Sequence, residues 1–161
     1  MRTLTGTILA AFALVVIAAA SSPVTAMSGK DAIDKRIAHM KKDILGPWKV
    51  IKKYAKEGEG TASNVAENAL ALAKAAGGIT ANFPKGTGRG DFDDKVTRAL
   101  PKIWEDWKGF EAAADVLAAE ATKLAAVADG GDKDAIVAQF GKTGKLGCGG
   151  CHKPFRGAKV K

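Results

Sequence analysis

Cys148, Cys151 and His152 are the residues whose types and spacing carry chemistry. On a helix, positions i, i+3 and i+4 share one face. Two thiols on that face can add to the two vinyl groups of a haem and form thioether bonds. The adjoining imidazole then sits under the iron as an axial ligand. Cys-x-x-Cys-His is the sequence form of c-type haem attachment. Gly144, Gly147, Gly149 and Gly150 surround the motif. Glycine weakens a helix by about 1 kcal/mol relative to alanine, so four of them suggest a flat macrocycle lying close to the backbone. Three other uses of the cysteines fit less well. A thioredoxin-like pair follows a strand, and none is indicated here. A structural disulfide leaves His152 and the glycines without a reason. A zinc site needs four ligands, and the other histidine, His39, is distant in sequence.

The elements that would position this motif are helices. Residues Ile8 to Ala20 form an apolar run after Arg2, closed by Val24-Thr25-Ala26. That run is too short to span a bilayer core and reads as a secretory signal peptide over 1–26, cleaved to leave 27–161. An exported chain, with a bacterial periplasm favoured, agrees with cysteines consumed by thioether bonds. Beyond it no strand alternation occurs, and Ala-rich segments of helical period dominate. A first helix is expected from about Asp31 to Lys56, with Ile33, Ile37, Met40, Ile44, Trp48 and Ile51 on one stripe and a kink at Gly46-Pro47. A second runs from about Ser63 to Ala76. A long connection, Ile79 to Leu100, follows. The third starts at Pro101, with Ile103, Trp107, Phe110, Ala114, Leu117, Ala121 and Leu124 as a heptad seam. The fourth starts near Lys133 and enters the glycine-rich motif. The pattern predicts an all-α, antiparallel four-helix bundle with covalent haem near the C-terminus.

The chain resembles the class II c-type cytochromes, the cytochrome c′ and cytochrome c556 group. Four features carry the resemblance: Cys148 to His152 continuing into Phe155-Arg156; Leu100-Pro101-Lys102-Ile103-Trp104 with Phe110 downstream; the Phe83-Pro84-x-Gly86-Thr87 loop; and Arg36 followed four residues later by Met40. The resemblance implies one covalent haem c, His152 as proximal ligand, Arg156 as a partner for haem propionates and a homodimer through the first two helices. Pro154 departs from the pattern and is expected to distort the helix after His152.

The residue opposite His152 decides the function implied. Low-spin members use a methionine on the first helix; high-spin members keep an apolar residue there and leave the iron five-coordinate. Met40 falls at that position and on the apolar stripe. If it binds, the haem cycles Fe(III)/Fe(II) with both axial sites filled, and the protein is an electron carrier rather than an enzyme. This His152/Met40 carrier is the leading expectation. If Met40 only fills space, the open side takes nitric oxide or carbon monoxide. His39 lies about 100° away, beside Arg36 and Asp43 on the polar side, unsuited to distal acid/base work.

Charge adds a partner. The 161 residues carry 25 Lys+Arg against 17 Asp+Glu. No acid occurs from Ala135 to Lys161, while Lys142, Lys145, Lys153, Arg156, Lys159 and Lys161 do. Acids gather on the third helix at Glu105, Asp106, Glu111, Asp115 and Glu120. A basic rim around the haem motif would steer a redox partner with an acidic docking surface. Nucleic acid fits poorly, for want of an arginine-rich motif.

Overall fold

The computed structural model describes residues 28–160. The expected leader, 1–26, lies outside the described residues. Four rods pack as a bundle. The first is α1 (Gly29–His39) continuing through a π-helical turn (Met40–Ile44) into α2 (Leu45–Glu57). The second is α3 (Ala62–Ala76). The third is a short α4 (Lys102–Glu105) and the long α5 (Trp107–Asp129). The fourth is α6 (Lys133–Lys142), a second π-helical turn (Thr143–Cys148) and α7 (Gly149–Phe155). Among the described residues there is no strand, only isolated bridges, and no helix long and apolar enough to cross a membrane.

Local chemistry sets the ends. Ser28 accepts a hydrogen bond from the Asp31 amide and caps α1. Thr61 and Asn64 form a reciprocal capping box on α3. Asp132 accepts from the Asp134 and Ala135 amides at the start of α6. Gly58 and Gly131 take positive φ, 75° and 74°, just after α2 and just before α6. The core joins Ile51, Val65, Leu72, Leu117, Leu124 and Ile136 across all four rods. Full burial of each such side chain is worth about 1.5–3 kcal/mol relative to exposure.

The heptad seam of the third helix is inward as expected, although Asp106 breaks the helix and caps α5 through a 3.1 Å bond from the Gly109 amide. The first rod differs from expectation. The kink predicted at Gly46-Pro47 is a π turn one step earlier, over Met40–Ile44. Pro47 has no amide hydrogen and its ring crowds the Asp43 carbonyl. The wider turn, in which the Leu45 amide reaches back to the Met40 carbonyl, absorbs that conflict. It also changes which residues face inward. Arg36 is buried at 5% exposure, whereas Ile37 is 36% exposed. The inward series runs from buried Arg36 to half-buried Met40, Ile44 and Trp48, a steady spacing of four that a regular α-helix does not sustain.

Candidate haem site

The fourth rod presents the motif. Cys148 closes the second π turn, and Cys151 and His152 follow on α7; all three are half-buried, and both thiols pack against the core. In that turn the Gly149 amide reaches back five residues to the Gly144 carbonyl. Two of the surrounding glycines serve helix packing, which corrects the expectation that all four make room for a macrocycle. A Cβ on Gly147 would stand 2.7 Å from Leu117 Cδ1 and 3.1 Å from its Cα. One on Gly144 would meet the Trp48 ring at 3.4 Å. Gly150 has open space around it. Gly147→Ala is therefore expected to push the motif off α5 and to cut the yield of haem-loaded protein severalfold, read as the ratio of Soret to protein absorbance. Gly150→Ala should leave that ratio nearly unchanged.

Burial sets the protonation of the three groups. It holds the Cys148 thiol above its ordinary value and pushes Cys151 up to about 11, with Cys148 adding to the effect. Redox-active Cys-x-x-Cys pairs have depressed values instead. Burial, helped by Arg156 and Arg98, lowers His152 to about 4, so the imidazole is neutral at ordinary pH, as a metal ligand must be.

Arg156 ends α7 in extended backbone (φ −118°, ψ 117°), one residue after Phe155 and two after Pro154. The helix thus stops where Pro154 was expected to disturb it. The chain then pairs with the long connection: the Leu100 amide donates to the Phe155 carbonyl (3.1 Å) and the Gly157 amide to the Arg98 carbonyl (2.8 Å). Arg98 Nε donates to the Gly157 carbonyl at 2.8 Å. Arg98 is thereby placed as a second cation beside His152. Sequence reasoning missed it, and only its place just before Leu100-Pro101 could have hinted at it.

The long connection has a structural job. Phe83 and Phe155 both meet Phe110 edge-on, at 4.7 and 5.3 Å between centroids. Trp104 Nε1 donates to the Phe83 carbonyl at 3.0 Å. Arg36 donates to Thr87 Oγ1 (3.2 Å), the Thr87 carbonyl (2.9 Å) and Thr97 Oγ1 (2.8 Å), with its guanidinium 4.5 Å over the Phe83 ring. The four separated stretches Arg36, Phe83–Thr87, Trp104–Phe110 and Phe155–Arg156 thus converge at one end of the bundle.

Met40 opens the first π turn, half-buried against the core that Cys148 and Cys151 also touch. His39 faces elsewhere: Nδ1 lies 2.9 Å from Asp43 Oδ2 and Nε2 3.0 Å from the Ala75 carbonyl. Its predicted position beside Asp43 holds, but Arg36 is not on that polar side.

The family model described as Cytochrome C' matches residues 31–156. The chain belongs to the cytochrome c′ family. A cytochrome c′ from Halomonas halodenitrificans is 41% identical over 75 residues, covering 46% of this chain and 56% of the relative. One from Rhodospirillum rubrum is 34% identical over 101 residues, covering 63% and 65%. The matched segment thus spans about half to two thirds of these relatives. Among solved structures, cytochrome c′ from Rubrivivax gelatinosus superposes with a TM-score of 0.65 at 32% identity, covering 80% of this chain and 96% of that one. A nitric oxide complex of a cytochrome c prime mutant from Alcaligenes xylosoxidans gives 0.68 at 26%, covering 81% and 98%. As a cytochrome c′, the chain carries a single covalent haem c. Two half-buried thiols and a neutral imidazole on one helix face fit that group.

Proposed function

We propose that this cytochrome c′ is a periplasmic gas-binding haem protein, five-coordinate and high-spin, that takes up nitric oxide or carbon monoxide. The nitric oxide complex of the Alcaligenes relative carries the reading. The match of the family model over residues 31–156 agrees with it. It displaces the expected His152/Met40 electron carrier.

Cys148 and Cys151 hold the haem by thioether bonds, and His152 binds the iron. When bound, the haem would supply an iron able to take a diatomic ligand. Met40, half-buried against the core that the thiols also touch, would limit entry by its bulk. Arg156, exposed beside the half-buried thiols, pairs with a propionate. His39 is engaged by Asp43 and Ala75, so it offers no distal acid/base. This fits reversible binding of a neutral gas rather than catalysis, and the protein is proposed not to be an enzyme.

Export rests on the leader at 1–26. Exposed Ile37, Leu45 and Val50 on the first rod and Leu70 on the second support a homodimer through the first two rods. Lys142, Lys145 and Lys153 are exposed on the fourth rod around an exposed Leu146, which suits an electron donor with an acidic docking surface.

Absorption spectra of the purified protein, ferric and ferrous, with and without carbon monoxide, test the reading. The expected result is a high-spin five-coordinate spectrum that changes fully on adding the gas. A low-spin spectrum with a methionine–iron charge-transfer band, indifferent to carbon monoxide, overturns it. In the same experiment, Cys148→Ser with Cys151→Ser should lose the pigment on denaturation, whereas the parent keeps it.

A further inference from the structure

Apart from Asn82, the buried polar side chains fall into two groups. One is the Arg36 set. The other lies beside the second π turn. Glu120 on α5, Gln139 on α6 and Thr143, the first residue of the turn, are 7%, 8% and 0% exposed. Gln139 Nε2 donates to Glu120 Oε2 at 2.8 Å. The Thr143 hydroxyl lies 2.9 Å from the Gln139 carbonyl and 3.2 Å from the Glu120 carbonyl. Lys123 Nζ donates to Glu120 Oε1 at 2.6 Å. Glu120, one of the acids gathered on the third helix, is drawn into the contact between α5 and the fourth rod.

A carboxylate placed there is costly unless its oxygens are satisfied. Apolar residues at 120 and 139 would also join α5 to α6, so packing alone does not call for this cluster. The next turn does. Residues 139, 143, 147, 151 and 155 face inward or half-inward at a constant spacing of four. Four such steps drift by about 160° on a regular α-helix. The π turn takes up one extra residue, about 100° of that drift. The turn therefore decides which face carries Cys148, Cys151 and His152. Apolar contacts tolerate a slip of one residue, whereas directional hydrogen bonds fix a register.

We propose that Glu120, Gln139 and Thr143 pin the π turn over Thr143–Cys148 and thereby set the orientation of the His152 imidazole against the iron. Leu117 packed on Gly147 is the second point at which α5 holds the turn. Glu120, Gln139 and Thr143 do not touch the haem; they are positioning residues. The proposal rests on haem held by Cys148, Cys151 and His152, and not on what occupies the opposite side of the iron.

Resonance Raman spectroscopy of the ferrous holoprotein reads the iron–imidazole stretch directly. Thr143→Val removes the hydroxyl at nearly constant shape, and Gln139→Met removes the amide. Both are expected to shift and broaden that band, and Thr143→Ser to return it to the parent position. Leu72→Ala, a fully buried core truncation in α3, should lower the melting temperature and leave the band in place. Bands in Thr143→Val and Gln139→Met that coincide with the parent overturn the proposal, whatever their melting temperatures. So does an equal shift in Leu72→Ala. If Thr143→Val yields no holoprotein, Gln139→Met, which keeps the hydroxyl, decides by the same criterion.

Discussion

Met40→Ala is expected to raise the rate of carbon monoxide binding by about tenfold, a barrier change of about 1.4 kcal/mol. Met40→Leu should leave both rate and spectrum close to the parent. The argument starts from placement. Met40 begins a π turn, is half-buried, and packs against the core that the cysteines touch. A thioether is a weak, soft ligand, and binds iron only where the backbone delivers its sulfur to bonding distance. On the proposed open face, its remaining effect is bulk. Alanine removes the bulk, whereas leucine conserves most of it. The alternative predicts the opposite pattern. If Met40 ligates, Met40→Leu converts a low-spin iron to a high-spin one and lowers the reduction potential, because methionine ligation raises it. Stopped-flow mixing with carbon monoxide and a potentiometric titration of the same three proteins separate the two. A large fall in potential on Met40→Leu sinks the gas-binding reading.

The sequence made the chemistry legible because Cys148, Cys151 and His152 are local: their face follows from spacing alone. The seam of α5 was equally legible, since its spacings of four and three are those of a regular helix. On the first rod, Ile33, Met40, Ile44, Trp48 and Ile51 of the expected stripe do turn inward, and only Ile37 does not. Ile37 is the more apolar candidate, yet Arg36 is the buried one, because the π turn that Pro47 demands shifts the inward series to steps of four. That series was visible in Met40, Ile44 and Trp48 and would have revealed the turn. The burial of Glu120 was not legible in the sequence. Glu120 follows Glu111 and Asp115 on the same helix, and only the contact with Gln139 and Thr143, some twenty residues away, draws it inward. Arg98 was invisible because its place depends on backbone pairing with Gly157. The choice between carrier and gas binder lay beyond residue type altogether. A methionine at position 40 is compatible with both, and the difference is the distance from sulfur to iron.

The buried Arg36 gives the largest expected loss of stability. Arg36→Leu is expected to destabilise the holoprotein by about 3 kcal/mol, since hydrogen bonds from a charged donor contribute about 1.5–3 kcal/mol each and lost acceptors stay buried. The melting temperature should fall by about 10 °C for a domain of this size. The guanidinium bonds the Thr87 side chain, the Thr87 carbonyl and the Thr97 side chain at once, and lies on the Phe83 face. It thus ties α1 to two points of the long connection, ten residues apart in the chain, and that connection carries Arg98 toward the haem motif. Burial lowers its pKa to about 10, so it is still charged at neutral pH. Arg36→Lys should recover less than half of the loss, because an ammonium presents a compact charge rather than a planar fork and cannot span the three acceptors. A thermodynamic cycle of Arg36→Leu with Thr97→Val isolates one strand of the tie, with an expected coupling of about 1 kcal/mol or more for residues in direct contact. Additive effects in that cycle, or a loss below about 1 kcal/mol for Arg36→Leu, would mean that the aromatic cluster around Phe110 holds the connection without help from the guanidinium.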